Sequence, residues 1–98
     1  MIIAQLSIAP IGKGISVSTY VQQVIKVLEE EGINYQTNPM ATIIETNDLI
    51  TLFSIVQKAH EAVVQAGAKR IITELKIDDR KDKNVTMESK LKTLTFSK

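Results

Sequence analysis

Along the run IIAQLSIAP, Ala4, Leu6 and Ile8 alternate with Gln5 and Ser7, the two-residue period of a half-buried strand, and Pro10 ends it. The period then lengthens. From Val17 to Glu31 the apolar residues Val17, Tyr20, Val21, Val24, Val27 and Leu28 recur at three and four, which predicts a helix; Gly32 stands at its C-terminal exit and Ser16 or Ser18 at its cap. INYQTN alternates again, Asn38 and Pro39 make a turn, and MATIIET follows as a short apolar run, so this stretch predicts a hairpin. Asn47 or Asp48 caps a long second helix with Leu49, Leu52, Val56, Ala59, Val63 and Ala66 in one stripe, closed by Gly67. RIITELKID then gives a fourth strand, and a polar link, DDRKDKN, leads to a short third helix from Thr86 to about Phe96, with Met87, Leu91 and Leu94 on one side.

The first and fourth strands share a pattern. IIAQLSI beside IITELKI puts Ala4, Leu6, Ile8, Thr73, Leu75 and Ile77 on one face, expected to meet the helices, and Ile3, Gln5, Ser7, Ile72, Glu74 and Lys76 on the other. The order βαββαβ, with two helices each needing one apolar face covered, predicts an α+β, ferredoxin-like sandwich: an antiparallel sheet with two helices on one face, plus the short C-terminal helix. No linker or low-complexity stretch interrupts it, so residues 1–98 read as a single domain. The other sheet face is too apolar for comfort in water and too polar for a dry core. Self-association through it, into a dimer or a dimer of dimers, is the expectation.

Composition narrows this picture mainly by exclusion. A chain of 98 residues buries only about 60 to 70% of its unfolded surface, so covering a sheet face with a second copy brings a large gain. The net charge of +1 gives no argument for nucleic acid or membrane. There is no cysteine, hence no disulfide, thiolate metal site or cysteine nucleophile. MIIAQLSIAP lacks the basic start of a secretion signal and no window is apolar for about 20 residues, so a cytoplasmic location is expected. In that setting NVT, Asn84 to Thr86, is a chance match to the glycosylation pattern.

The stretch SIAPIGKGISVS invites a phosphate-binding reading, but Val17 stands where a dinucleotide fingerprint needs its third glycine, and Lys13 is followed by Gly14 rather than Ser or Thr. Two readings remain for it: a flexible strand-to-helix connection, or a loop folding over a small ligand. Ser7, Ser16 and Ser18 lack an elbow motif and lie far in sequence from the lone histidine, which argues against an acyl-transfer triad. His60 alone cannot build a zinc site; it reads either as a hydrogen-bonded structural residue or as a ligand or interface contact. Glu45 ends an apolar strand. It could accept N–H donors from a heterocycle, or pair with Lys76 or Arg80. The DDRKDK run reads as a solvated face rather than a magnesium site.

Five stretches in order, MIIAQLSIAPIG, SVSTYV, MATIIE, AHEAVVQAGAKRI and LKIDDR, together resemble the thiamine-binding protein family, related to a two-domain bacterial protein that binds thiamine and its hydroxymethylpyrimidine moiety. The resemblance runs from Met1 to about Arg80. It implies a ferredoxin-like fold, dimers and tetramers assembled through the sheets, and binding of thiamine or its pyrimidine without catalysis, cofactor or metal. The family's Pro-hydrophobic-Gly step falls on Pro10, Ile11 and Gly12, its serine-rich helix start on Ser16 and Ser18, its Thr-x-x-Glu on Thr42 and Glu45, its His-Glu on His60 and Glu61, and its Lys-x-Asp-x-Arg on Lys76, Asp78 and Arg80. Met40-Ala41 stands where relatives often carry glycine after the methionine, which would narrow a pocket beside the strand.

Joined to the residue reading, the resemblance implies that Glu45 takes the pyrimidine donors, Tyr20 and Ile11 supply walls, and Ser7, Ser18 and Thr42 complete the polar contacts. Lys76, unless neutralised by Glu45 or Asp78, suits a diphosphate better than a bare thiazolium cation. The competing expectation is an oligomeric regulatory or scaffold module without a small-molecule ligand. An enzyme ranks third, since paired carboxylates and cysteine are missing and the histidine is poorly placed.

Overall fold

A computed structural model describes residues 1–12, 17–38 and 40–96, with side chains except at 17 and 93–96. Lys13, Gly14, Ser16 and Pro39, on which some of the loop, cap and turn expectations fall, lie outside the described residues, as does the side chain of Leu94. The elements are β1 (Ile2–Pro10), α1 (Val17–Glu30), β2 (Asn34–Thr37), β3 (Thr42–Thr46), α2 (Leu49–Gln65), β4 (Ile71–Asp79) and α3 (Met87–Phe96). The strands form one sheet in the order β2-β3-β1-β4, antiparallel at every pairing, with α1 and α2 packed on one face. This is the ferredoxin-like α+β arrangement.

Alternation decides which side chains meet the helices. Ala4 lies opposite Ile44 and Ile77, and Leu6 opposite Thr42 and Leu75, so this set shares the inner face with Ile8 and Thr73. Ala4, Leu6 and Ile44 close against Tyr20, Val24 and Leu28 of α1 and Leu52, Ile55, Ala59 and Val63 of α2. Ile55 was not in the expected α2 stripe, whereas Leu49, which was, is partly exposed. The core therefore draws on the Leu52–Ile55–Ala59–Val63 ridge, one position rotated from the edge that Leu49 and Val56 define.

Both long helices end as the pattern predicts. Gly32 takes φ +66°, and the amide of Ile33 donates to the Leu28 carbonyl at 3.1 Å, a left-handed exit that a Cβ would strain. At the start of α2, Asp48 is the cap: its Oδ1 accepts from the Thr51 amide at 2.7 Å. Ser18 does not cap α1. The helix begins at Val17, which places Ser18 within its first turn.

The outer face differs from the expected uncovered surface. Ile3, Glu45 and Asp78 are neighbours there by register, and Lys90 of α3 pairs with Asp78. That pair ties α3 to the end of β4, and at this end of the face Ile3 and Glu45 are only 9% and 7% exposed. Reciprocal bonds hold the start of α3: the Thr86 amide donates to Ser89 Oγ at 2.9 Å and the Ser89 amide to Thr86 Oγ1 at 3.1 Å. Farther along, Gln5, Ile72, Glu74 and Lys76 remain exposed.

Candidate functional site

The candidate site arises from an offset between two strands. Pairing of β1 with β3 stops at Leu6 opposite Thr42, but pairing of β1 with β4 continues to Pro10 opposite Ile71. From Ser7 to Ala9, therefore, β1 is bonded along one edge only. In an antiparallel strand successive residues direct both backbone groups to alternate edges, so either Ile8, or Ser7 and Ala9, present N–H and C=O on the open side.

A cleft of about 200 Å³ occupies that open side. Its floor is β1, its wall is Val21 and Val24 of α1, and its far rim is the β2–β3 turn with Met40, Ala41 and Thr42. The turn is held by Asn38, whose Oδ1 accepts from the amides of Met40 and Ala41, both at 2.9 Å. Met40 is 86% exposed, so its thioether stands over the entrance rather than filling the interior. The described lining contains no ionisable side chain: its polar groups are Ser7, Thr37, Asn38, Thr42 and the strand backbone.

Of the residues singled out in the sequence, Ser7 and Thr42 line this cleft. Pro10 closes β1 just beyond it; Ile11 follows, its amide donating to the Arg70 carbonyl at 2.8 Å, and Gly12 turns the chain away at φ +136°. Ser18 is exposed, one helical turn before Val21. Tyr20 is 1% exposed within the core between α1 and the sheet. Glu45 and Lys76 lie on the outer face, on the opposite side of the sheet from the cleft. In the sequence Val21 and Val24 were legible only as part of a helical stripe and Asn38 only as a turn residue, because the offset that unites them with the open strand edge is a property of register.

Glu45 does not pair with Lys76 or Arg80. Its Oε2 accepts from Asn34 Nδ2 at 2.5 Å, the cross-strand neighbour on β2, while Arg80 binds Asp82 through two nitrogens at 3.0 and 2.5 Å. Lys76 is a strand away, beside Gln5. His60 is hydrogen-bonded within the fold: its Nδ1 lies 2.7 Å from Thr73 Oγ1 and ties α2 to β4. Elsewhere the electrostatics are those of the surface. Hydrogen bonding to Lys90 holds the Asp78 carboxyl below the usual range, Arg80 does the same for Asp82, and the Glu29 carboxylate raises the Tyr35 phenol. Among the described residues no cluster of His, Asp or Glu could hold a metal ion, and no helix is long and apolar enough to cross a membrane.

Comparison with known proteins agrees with this architecture. The family model described as thiamine-binding protein matches residues 4–95. The UPF0045 protein YqgV of Bacillus subtilis is 46% identical over 99 residues, covering 96% of this chain and 94% of that protein. The crystal structure of hypothetical protein MJ1052 from Methanocaldococcus jannaschii superposes with a TM-score of 0.86 at 40% identity, over 96% of this chain and 95% of that one. TM0486 of Thermotoga maritima, provisionally described as a thiamine biosynthesis/salvage protein, shares the fold with a TM-score of 0.81 at 19% identity, over 95% and 97% of the two chains.

Proposed function

The chain belongs to the thiamine-binding protein family, and from that premise we propose that it binds thiamine or its hydroxymethylpyrimidine moiety, without catalysis, in the cleft beside β1. The observation that carries the reading is the open edge of β1 from Ser7 to Ala9. An aminopyrimidine presents an exocyclic N–H donor next to a ring nitrogen acceptor, and a strand edge offers the complementary C=O and N–H. Val21 and Val24 supply an apolar wall for the flat ring, and Thr42 adds a hydroxyl.

Size and charge refine the ligand. Enclosed sites for drug-sized ligands span about 300 to 1,000 Å³, and this cleft, at about 200 Å³, suits one substituted ring with the remainder projecting past Met40. With no cation in the described lining, a neutral pyrimidine or a thiazolium-bearing molecule fits better than a diphosphate. Calorimetric titration with thiamine, thiamine diphosphate and the hydroxymethylpyrimidine tests this. Heat with the first or last is expected, and silence with all three at millimolar concentration removes the proposal. Ala41→Leu, which fills the cleft from its rim, should weaken binding about tenfold or more; an unchanged affinity places the ligand elsewhere.

Glu45 and Lys76 stay with the proposal as the alternative location. If the pyrimidine instead engages Glu45 on the outer face, Glu45→Gln weakens binding by about 1.5 to 3 kcal/mol, the scale of a hydrogen bond to a charged group; cleft binding leaves that variant near wild type. The same reading includes a cytoplasmic location, checked by cell fractionation, and self-association through the exposed part of the outer face around Gln5, Ile72, Glu74 and Lys76. A monomeric mass in light scattering at micromolar concentration removes the latter.

A further inference from the structure

Resting on the ligand reading proposed above, we infer that the cleft reads its occupant through the backbone N–H and C=O of one residue, Ile8, and that Asn38 is the positioning residue that keeps this pair free. Two backbone bonds fix which residue of β1 faces the open side. The Ile11 amide donates at 2.8 Å to the carbonyl of Arg70, which lies opposite it when the β1–β4 register is continued one step past Pro10 and Ile71. Ile11 and Arg70 are therefore a hydrogen-bonded pair, and such pairs recur at every second residue. Ser7 and Ala9 accordingly turn their backbone groups toward β4, and Leu6 and Ile8 turn theirs the other way. The hairpin gives the same answer from the opposite side. The Asn38 amide donates to the Ala41 carbonyl at 3.0 Å, so Ala41, Ile43 and Glu45 bond toward β2 while Thr42 and Ile44 bond toward Leu6 and Ala4 of β1.

In that register the residue due opposite Ile8 is Met40, the next on this side after the Leu6–Thr42 pair. Met40 does not take the place. Its amide is held at 2.9 Å by Asn38 Oδ1, which also accepts from Ala41, and among the described residues no backbone bond joins the turn to Ile8. The Asn38 side chain thus supplies the acceptor that the Ile8 carbonyl would otherwise be, and the ladder between β1 and β3 ends one pair early. Pro10, next along this side of β1, has no N–H, so Ile8 carries the one free backbone donor that the strand offers there beyond Leu6.

An N–H beside its own residue's C=O matches a flat heterocycle with a donor and an acceptor on neighbouring atoms. In an aminopyrimidine the exocyclic amine donates to the Ile8 carbonyl and the adjacent ring nitrogen accepts from the Ile8 amide, the same exchange that Met40 would make as a strand neighbour. The ligand class is therefore a ring with such an amidine edge, its apolar body against Val21 and Val24. A ring without the amine keeps only one of the two bonds and leaves the carbonyl unmet.

Amide hydrogen exchange, read residue by residue, tests the assignment. In the free protein, protection at Ile8 should be at least tenfold lower than at Ser7 and Ala9; a protected Ile8 beside an unprotected Ser7 or Ala9 overturns it. Saturating hydroxymethylpyrimidine should slow exchange at Ile8, and the analogue lacking the amine should bind about tenfold more weakly or worse. A bound pyrimidine that leaves Ile8 as fast as before, or an analogue that binds equally well, overturns the contact. Asn38→Ala should free the Met40 amide to pair with Ile8, slowing exchange at Ile8 without ligand and weakening pyrimidine binding about tenfold; Asn38→Asp, which keeps an acceptor oxygen, should leave Ile8 fast. A side chain that merely stiffened the turn would leave Ile8 fast in Asn38→Ala as well, and that result overturns the positioning role. If no pyrimidine binds, the ligand reading and the contact fall together, while a fast Ile8 in the wild type and a slow one in Asn38→Ala still uphold the assignment of the open pair, so the two failures are told apart.

Discussion

At the scale of single residues, the polar side chains that looked available for chemistry are mostly spent on structure. His60 is engaged with Thr73, so His60→Ala and Thr73→Val should each destabilise the fold by about 1 kcal/mol, and the double variant by little more than either; urea unfolding measures this, and additive losses deny the coupling. Asp48 is held below the ordinary carboxylate range by its bonds to Thr51, a group whose charged form is favoured in the folded state. Its contribution is complete above the unfolded value and fades as pH falls through the folded one. Asp48→Ala should therefore lower the melting temperature by a few degrees at neutral pH and by less in strong acid. The residue types were legible from the sequence, but their partners were not. Glu45 pairs with Asn34 because both sit opposite one another across β2 and β3, a register set by the turn at Asn38.

At the scale of elements, alternation and capping carried nearly everything. The alternation in IIAQLSI and IITELKI gave the inner and outer faces, and Gly32, Asp48 and Gly67 gave helix ends. Two features escaped. The α2 stripe, read with Leu49 and Val56, is centred nearer Ile55, because a helix with apolar residues on so much of its circumference does not declare which third faces inward. The cleft escaped for a different reason: it exists because β3 begins opposite Leu6 rather than Ile8, and no local pattern encodes where a partner strand starts. α3 belongs to this scale too. Its anchor is the pair of Lys90 with Asp78, whose carboxyl is held below the usual range mainly by that bond. The pair is intact above the ordinary carboxylate pKa and is lost as pH falls through the lowered folded value. Hydrogen exchange should show α3 loosening in acid before α2 does; Asp78→Asn should loosen it already at neutral pH, and an unchanged α3 in that variant refutes the anchor.

At the scale of the whole molecule, stability rests on a thin layer. Ala4, Leu6 and Ile44 are sandwiched against α1 and α2, with Leu28, Leu52, Ala59 and Val63 wholly enclosed. Leu52→Ala should cost about 2 to 5 kcal/mol, a large share of the 5 to 15 kcal/mol that keeps a small protein folded, and denaturant titration should find its midpoint well below wild type. Ligand, by contrast, adds stability only in proportion to occupancy. The unequal pairing of β1 gives this a local signature. Its first half is bonded on both sides and its second half on one, so a single strand holds slow and fast exchanging amides a few residues apart. An occupant of the cleft that pairs with the open edge should erase that contrast between Leu6 and Ala9 while leaving Ile2 to Leu6 as slow as before. β1 is thereby its own reporter, registering occupancy as a change in solvent exchange at backbone positions no side-chain substitution disturbs.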